Sequence, residues 1–323
     1  MVDVEEMKNN DENYIPITVS VLKRFPGKLP FDIYVKRTKI DYTKIFRKKD
    51  ILDWDRVDNY VGKGIVHFFV ARAQYDSYQT LVQEIAQKYL GKDDSLSNRE
   101  VALLTKEMIA ITGAELIEKQ KIDRQSVESA GSTVMGCIDM LEREPNTLMK
   151  IVWQMKDKIH MVKHSTIVSI LSVILAKAVD IEAMTSLSNI GLGAFLHDIG
   201  IAQLSFDPEE KESYTPEEWK ELKRHPELGK ALLDEISGIS TEVRLIILYH
   251  HEQPNGNGYP NGLRDQFIFL PAKIVSIADR FAELITKKSY RHAFSSDKAL
   301  TLMEEDNGKF DRRLLESFRK IFT

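Results

Sequence analysis

The residues best suited to chemistry are histidines and aspartates in the second half of the chain. Seven of the eight histidines lie between residues 160 and 292: His160, His164, His197, His225, His250, His251 and His292. His197 is followed directly by Asp198, which places two metal-type ligands on one turn of backbone. His250 and His251 end an apolar run, and as helix neighbours they point about 100° apart, which suits two metal ions. Asp198 and Asp279 both follow apolar stretches, where an unpaired buried carboxylate is costly and needs a cation or strong donors.

This set of residues indicates a metal site for phosphoester hydrolysis. Imidazoles and carboxylates without thiolates favour iron, manganese or zinc. Five or more histidines and two aspartates exceed the needs of one tetrahedral site, and they suit two ions bridged by a carboxylate and a hydroxide. Such a pair lowers the pKa of the bridging water, orients a phosphate and stabilises the charge of the transition state.

Composition limits the classes of protein to which the chain can belong. Its 323 residues suffice for two domains, and 43% hydrophobic with 29% charged residues is typical of a soluble globular protein. A net charge of −4 gives no signature of binding to a nucleic-acid polymer. Cys137 is the single cysteine, which excludes a disulfide framework and favours the cytoplasm. The start lacks the order of a signal peptide, and the apolar run at 165–176 is too short to span a bilayer.

The first half of the chain predicts a small α+β domain. Alternating apolar residues and Pro/Gly punctuation predict strands at 15–22, 31–35, 42–46 and 65–70. A helix is expected at 53–61, and from residue 75 the periodicity is helical, with helices at 98–119 and 126–143. The pattern resets at Pro145. We therefore expect an accessory or regulatory domain over residues 1–146 and a second domain over 147–323.

The second half predicts an all-α domain that carries the candidate ligands. The expected helices span 147–180, 181–196, 216–224, 226–236, 241–251, 270–287, 296–303 and 312–322. His160 and His164 are four residues apart and share the apolar face of the first of these helices. The Gly/Pro-rich segment 253–266 follows directly after His250-His251-Glu252, and a loop of this kind is more often functional than a plain connection.

These motifs resemble the HD-GYP branch of the HD-domain phosphohydrolases. The resemblance rests on His197-Asp198, His225-Pro226 and above all His250-His251-Glu252-x-x-Asn255-Gly256-x-Gly258-Tyr259-Pro260, and it covers residues 147–323. It implies a five-helix core with extra helices, a bi- or trinuclear metal centre, often of iron, and hydrolysis of the bacterial second messenger cyclic di-GMP.

The resemblance also implies roles for individual residues. The metal ligands of the family fall on His164, His197, Asp198, His225, His250, His251 and Asp279, with Asp198 bridging and with His197 and Asp198 as the catalytic pair. The substrate-binding basic pair falls on Lys288 and Arg291, three residues apart, so that both could address a phosphate from one side. Tyr259 lies in the loop that gives the branch its name.

The chain departs from the family pattern on the substrate side. Ile201 stands where the family has a lysine, and it cannot donate to a phosphate or leaving-group oxygen. Asn255 replaces an aspartate, and Lys288-Ser289 replaces an Arg-Pro pair. His160 stands where trinuclear members have a glutamate, and because a histidine bridges poorly we predict two metal ions.

Two functions from different classes follow. The first is a dinuclear phosphodiesterase that opens cyclic di-GMP, or a related nucleotide, through a metal-bridged hydroxide. The second is a catalytically weak or inactive metal-containing module that binds a nucleotide or a signalling protein, through its N-terminal domain or the loop around Tyr259. A phosphohydrolase for another nucleotide is a further alternative within the first class.

Overall fold

The chain forms two compact units, residues 1–111 and 112–323. The structure is a computed structural model, and it describes residues 13–38, 41–65, 67–92, 95–118, 122–154, 160–208, 211–288 and 290–322. The predicted fold class, a small α+β unit followed by a helical one, is confirmed. The predicted domain boundary near residue 146 stays a prediction. The division into compact units falls earlier in the chain and places residues 112–143 in the second unit.

The first unit is built on a four-stranded antiparallel sheet. Its strands are β1 (Tyr14–Ile17), β2 (Ile33–Lys36), β3 (Tyr42–Phe46) and β4 (Phe68–Ala71), in the order β1-β4-β2-β3. The helices α1 (Trp54–Gly62) and α2 (Tyr75–Tyr89) accompany the sheet, and α3 (Asn98–Glu118) begins in this unit. Alternation along β2 is clear, because Ile33 and Val35 are buried while Tyr34 and Lys36 are partly exposed. This side-chain period of two is that of a half-buried strand.

One predicted strand of this unit is wrong over half its length. The strand expected at 15–22 ends at Ile17, and a 3₁₀ helix occupies Val19–Arg24. Val19 and Leu22 are both buried there, and their spacing of three residues matches one turn of a 3₁₀ helix. Alternation over a few residues did not distinguish this turn from an extended strand.

The described part of the second unit consists of helices and the loops that connect them. Its helices are α4 (Arg124–Arg143), α5 (Pro145–Trp153), α6 (His160–Ala178), α7 (Met184–Phe195), α8 (Pro216–Leu222), α9 (His225–Asp234), α10 (Thr241–Tyr249), α11 (Leu270–Ile285), α12 (Ser296–Glu305) and α13 (Arg312–Arg319). The single helix predicted over 147–180 is wrong, because α5 and α6 are separate, and residues 155–159 between them lie outside the described residues. The helix predicted at 181–196 begins later, at Met184.

Close packing around α6 and α7 forms the core of this unit. Helix α6 packs on α7 and α11, and α10 packs on α7 and α9. Glycines on α7 allow this approach, since a Cβ at Gly191 would lie 2.6 Å from Val134 and one at Gly193 would lie 2.8 Å from Ile246. Met161–Ala178 is the one described stretch apolar and long enough to cross a membrane, and 72% of it is buried inside the protein. It therefore packs as a core helix does.

Candidate metal centre

Five helices of the second unit bring the seven predicted ligands into one cluster. His197 and Asp198 follow the C-terminus of α7, His225 begins α9, and His250 and His251 follow α10. His164 and Asp279 come from inside α6 and α11, the two long helices that pack on each other. A set that spans 116 residues of sequence, from 164 to 279, is thus assembled by five helices.

The cluster divides into two groups of ligand atoms. One group contains Asp198, His225, His250 and His251, and the other contains His164, His197 and Asp279. Within each group the ligand atoms lie within 4.8 Å of one another. The spacing suits one metal ion per group.

Asp198 lies between the two groups. Its Oδ1 is 3.3 Å from Nε2 of His225 and 3.8 Å from Nε2 of His250. Its Oδ2 is 3.1 Å from Nε2 of His197, in the other group. One carboxylate therefore faces both groups with different oxygens, which is the arrangement that a bridging ligand requires. Asp279 serves one group only, with Oδ1 3.1 Å from Nε2 of His164 and 3.5 Å from Nε2 of His197.

Backbone carbonyls fix the orientation of three of the imidazoles. The Nδ1 atoms of His197, His225 and His250 lie 2.7, 2.8 and 2.7 Å from the carbonyl oxygens of Ala194, Leu222 and Ile247. In each case the acceptor is three residues earlier, so the local helix end supplies it. A carbonyl accepts only from a protonated Nδ1, so each Nε2 is directed into the cluster and offers its lone pair when the imidazole is neutral.

The protonation states suit cation binding. Burial opposes ionisation of Asp198, but His197 and His225 hold its pKa well below the ordinary range, and His164 and His197 do the same for Asp279. Burial and neighbouring imidazoles lower the pKa of His250 well below its usual value, and that of His251 to about 3. Ionised carboxylates and these neutral imidazoles therefore coexist at neutral pH, as metal ligation requires.

His197 provides the most direct test of whether the residues fit a metal. Its Nε2 is buried and has no hydrogen-bond partner, although two carboxylate oxygens lie within 3.5 Å. Burial favours its neutral form, but Asp198 and Asp279 outweigh burial and raise its pKa well above the usual value. A proton on this nitrogen therefore offsets the charge of the two carboxylates. A divalent cation can take the place of that proton, so the donor set and its electrostatics fit a metal pair.

Glycine at two positions allows the cluster to close. A Cβ on Gly200 would lie 2.0 Å from the carbonyl oxygen of His225, so the turn after Asp198 can approach α9 only without a side chain. A Cβ on Gly258 would lie 2.6 Å from the carbonyl oxygen of His251. Both contacts are to backbone atoms, which cannot move aside as a flexible side chain can.

The loop after His251 covers one group of ligands with an aromatic ring. Tyr259 stacks on His251, with ring centroids 4.7 Å apart and planes inclined by 30°. Glu252 holds the loop, because its buried carboxylate accepts from the backbone N–H groups of Asn261 and Leu263, each at 2.7 Å. Burial raises the pKa of Tyr259 well above the usual value, so its hydroxyl stays protonated at neutral pH.

A cleft of about 420 Å³ leads to both groups. Its walls include His251 from one group and Asp279 from the other, together with Tyr259. Three cations are among the described residues that line it: Lys223, Arg280 and Lys309. Trp219 and Phe310 add apolar ring surface. Glu283 and Asp306 also line the cleft and pair with Arg280 and Lys309, so Lys223 and the ring surface are what suit it to an anionic ligand with flat apolar groups.

The predicted substrate cations lie elsewhere. Lys288 is buried, and its backbone pairs with that of Arg291. The guanidinium of Arg291 donates to the carbonyl oxygens of Glu283, Leu284 and His292 at 2.8, 3.0 and 3.1 Å. These contacts occupy it at the C-terminus of α11. Neither residue is among those lining the cleft.

Two other positions singled out in the sequence are not part of the described lining of the cleft. Ile201 lies in the 3₁₀ helix Ile199–Gln203, is partly buried, and is not among the residues that line the cleft. The side chain of His160 lies outside the described residues, so a third metal ligand at this position stays untested.

Sequence reasoning missed the cations of the cleft. Lys223 stands two residues before His225, Arg280 directly follows Asp279, and Lys309 precedes Phe310-Asp311. Proximity in sequence to a ligand was the available signal for the first two. Surface lysines and arginines are common beside any motif, however, and only the fold shows that these side chains share one cleft.

Comparison with known proteins identifies a family. The sequence model of the HD domain matches residues 147–314, which is more than half of the chain. The Pseudomonas aeruginosa protein named cyclic di-GMP phosphodiesterase PA4108 is 29% identical over 180 residues, covering 55% of this chain and 43% of that protein. The Xanthomonas campestris response regulator RpfG, also named a cyclic di-GMP phosphodiesterase, is 36% identical over 131 residues, covering 40% of this chain and 35% of RpfG.

A third relative carries the same kind of name, and a solved structure shares the fold. PdeB of Borreliella burgdorferi, named a cyclic di-GMP phosphodiesterase, is 30% identical over 155 residues, covering 47% of this chain and 40% of PdeB. The chain thus spans less than half the length of these three curated relatives. Bd1817 of Bdellovibrio bacteriovorus, described as an HDG"Y"P protein, superposes with a TM-score of 0.61 at 23% identity, covering 96% of this chain and 99% of that one.

Proposed function

Because this chain belongs to the HD-domain family, with its HD-GYP resemblance confirmed, we propose that it is a metal-dependent phosphodiesterase that hydrolyses cyclic di-GMP. The observation that carries the proposal is the division of seven ligands into two groups with Asp198 between them. The names of three relatives agree with this substrate.

The metal ions that we propose are two, of iron, manganese or zinc. His225, His250 and His251 would hold one ion, His164, His197 and Asp279 the other, and Asp198 would bridge them. When bound, such a pair supplies Lewis acidity and an ionised water at neutral pH. We propose His197 and Asp198 as the catalytic pair because the two residues join the groups at their closest approach.

The surrounding residues prepare the site for a phosphodiester. The carbonyl contacts of His197, His225 and His250 keep each Nε2 directed inward without reorganisation when a ligand arrives. Tyr259, protonated at neutral pH and lining the cleft, is placed to donate to a substrate oxygen. Lys288 and Arg291 remain predicted substrate contacts, with side chains outside the lining of the cleft.

Turnover tests the proposal directly. The full chain, loaded with ferrous iron or manganese under reducing conditions, is incubated with cyclic di-GMP and the products are separated by chromatography. We expect the linear dinucleotide in the loaded wild type and none in the chelator-treated protein. Protein that contains two metal ions per chain and yields no linear product would overturn the proposed phosphodiesterase activity.

A second candidate function is a metal-containing signalling module with little turnover, which the isoleucine at position 201 favours. It would bind a nucleotide or a protein partner and act through the N-terminal unit or the loop around Tyr259. Ile201→Lys separates the two candidates. A rise in turnover of tenfold or more in this variant, from a barely active wild type, favours the module, whereas wild-type activity that the lysine does not raise favours the enzyme.

Two further assignments belong to the proposal. We propose that the functional boundary lies near residue 146, one residue before the HD-domain match begins, with residues 1–146 as the accessory region. The cytoplasmic location expected from the single cysteine is likewise a proposal.

A further inference from the structure

We propose that Lys223 is the phosphate-binding cation of the cleft and replaces the amine that position 201 lacks. The inference rests on the proposed function, because it assigns a contact to the same phosphodiester. It adds a specific residue, outside the motifs of the sequence, on which substrate affinity depends.

The ion pairs of the three cations in the cleft distinguish Lys223 from the other two. The guanidinium of Arg280 lies 2.7 Å from the carboxylate of Glu283, and the ammonium of Lys309 lies 2.9 Å from that of Asp306. Both are therefore largely neutralised by partners on their own segments. Within the part of the chain that the structure describes, Lys223 has no carboxylate within ion-pair distance. Its charge remains available to an incoming anion.

Aromatic rings hold the ammonium of Lys223 at the mouth of the site. Its Nζ lies 5.3 Å from the ring centroid of Trp219 and 5.8 Å from that of Tyr259. Cation–π contacts of this kind orient a cation without neutralising it. Because Tyr259 stacks on His251, one ring separates the ammonium from a proposed metal ligand.

The backbone at Lys223 is fixed relative to the metal centre. Lys223 directly follows α8 and stands two residues before His225, whose Nδ1 donates to the carbonyl oxygen of Leu222, the last residue of α8. The residue itself is exposed, so its four-carbon side chain can leave the rings and reach a phosphate oxygen. A fixed backbone and a flexible side chain that ends in an ammonium group therefore suit Lys223 to bind a phosphate.

The other positions at which a phosphate-binding cation is expected are less suited to this role. Ile201 carries no charge, and the guanidinium of Arg291 is occupied by three carbonyl oxygens. Lys288 is buried and is not among the residues lining the cleft. The requirement for a cation near the scissile phosphate therefore falls on Lys223.

The experiment compares Lys223→Gln, Lys223→Arg and the matched control Lys220→Gln in the full metal-loaded chain. Lys220 is an exposed lysine of α8, three residues before Lys223, and it is not among the residues lining the cleft. We expect Lys223→Gln to lower kcat/KM for cyclic di-GMP about 10- to 100-fold, mainly through KM, with unchanged metal content and Tm. Lys223→Arg should retain most of the activity. Lys220→Gln should stay within about twofold of the wild type, and the salt dependence of KM should weaken only in Lys223→Gln.

Equilibrium binding of cyclic di-GMP keeps the inference separate from the proposed function. If the wild type binds without turnover and Lys223→Gln binds about tenfold more weakly, Lys223 is the phosphate-binding cation although the enzymatic proposal fails. Equal kcat/KM and affinity in the wild type and Lys223→Gln, or equal losses in Lys220→Gln, would overturn the assignment. A wild type that neither binds nor hydrolyses cyclic di-GMP overturns both.

Discussion

At the scale of single residues, the position of Asp198 depends on backbone atoms as much as on the neighbouring ligands. Asp198 can face both groups because Gly200 brings its turn against α9, with the carbonyl oxygen of His225 2.0 Å from where a Cβ would be. The amide nitrogen of Gly229 lies 2.6 Å from the same position. A side chain here must separate the turn from α9 and move Asp198 away from His225.

We therefore predict that Gly200→Ala destabilises the second unit by about 3 kcal/mol and lowers its metal content. The matched control is Gly131→Ala, because Gly131 lies inside α4 with nothing within 4 Å of its would-be Cβ. That change should be neutral or stabilise by about 0.5–1 kcal/mol, since alanine favours a helix over glycine. Denaturant unfolding and elemental analysis measure both effects. Gly200→Ala with wild-type stability and metal content would contradict the packing argument.

At the scale of elements, the loop after α10 is held by one carboxylate. Both oxygens of Glu252 accept a backbone N–H, so an amide in its place satisfies one donor and turns its NH₂ group toward the other. Glu252→Gln should cost about 1–3 kcal/mol and loosen residues 253–266. Limited proteolysis should cut this loop faster in Glu252→Gln than in Glu235→Gln, an exposed control that directly follows α9. Equal cleavage rates in the two variants would show that Glu252 does not hold the loop.

An ion pair joins two elements of the first unit and gives it a pH dependence. Arg24 donates to both carboxylate oxygens of Glu100, at 2.9 and 3.1 Å, and with Ser97 it lowers the pKa of Glu100 from 4.5 to about 2. A folded pKa below the unfolded one stabilises the protein above pH 4.5, and this contribution is lost as the pH falls toward 2.

Glu100→Gln should therefore destabilise the first unit by about 1–2 kcal/mol at pH 7, allowing for solvent screening of a partly exposed pair. The difference from the wild type should shrink steadily between pH 4.5 and 3. Thermal unfolding over this range measures it, with the exposed Glu84→Gln on α2 as the control. A difference between Glu100→Gln and the wild type that stays constant from pH 7 to pH 3 would mean that the pair does not contribute through ionisation.

At the scale of the whole molecule, the residues that the sequence proposed as ligands lie together in one cluster, whereas their surroundings were largely missed. His197-Asp198 and His250-His251 are adjacent pairs at helix ends, so their spacing carried the information, and the fold class followed from periodicity. The strand over-extended past Ile17 shows where a short apolar pattern fits two structures. Lys223, Arg280 and Lys309 were missed, because a cleft formed by four separate segments leaves little local pattern.

The measurement that tests the central claim most directly is the number of metal ions per chain. The full chain is loaded anaerobically with iron or manganese, desalted and analysed for metal, beside Asp198→Asn and the exposed control Asp297→Asn. We predict two ions per chain in the wild type and in Asp297→Asn, and at most one in Asp198→Asn, because a carboxamide cannot bridge two cations. A wild type that retains no metal, or an Asp198→Asn variant that retains two ions, would contradict the account.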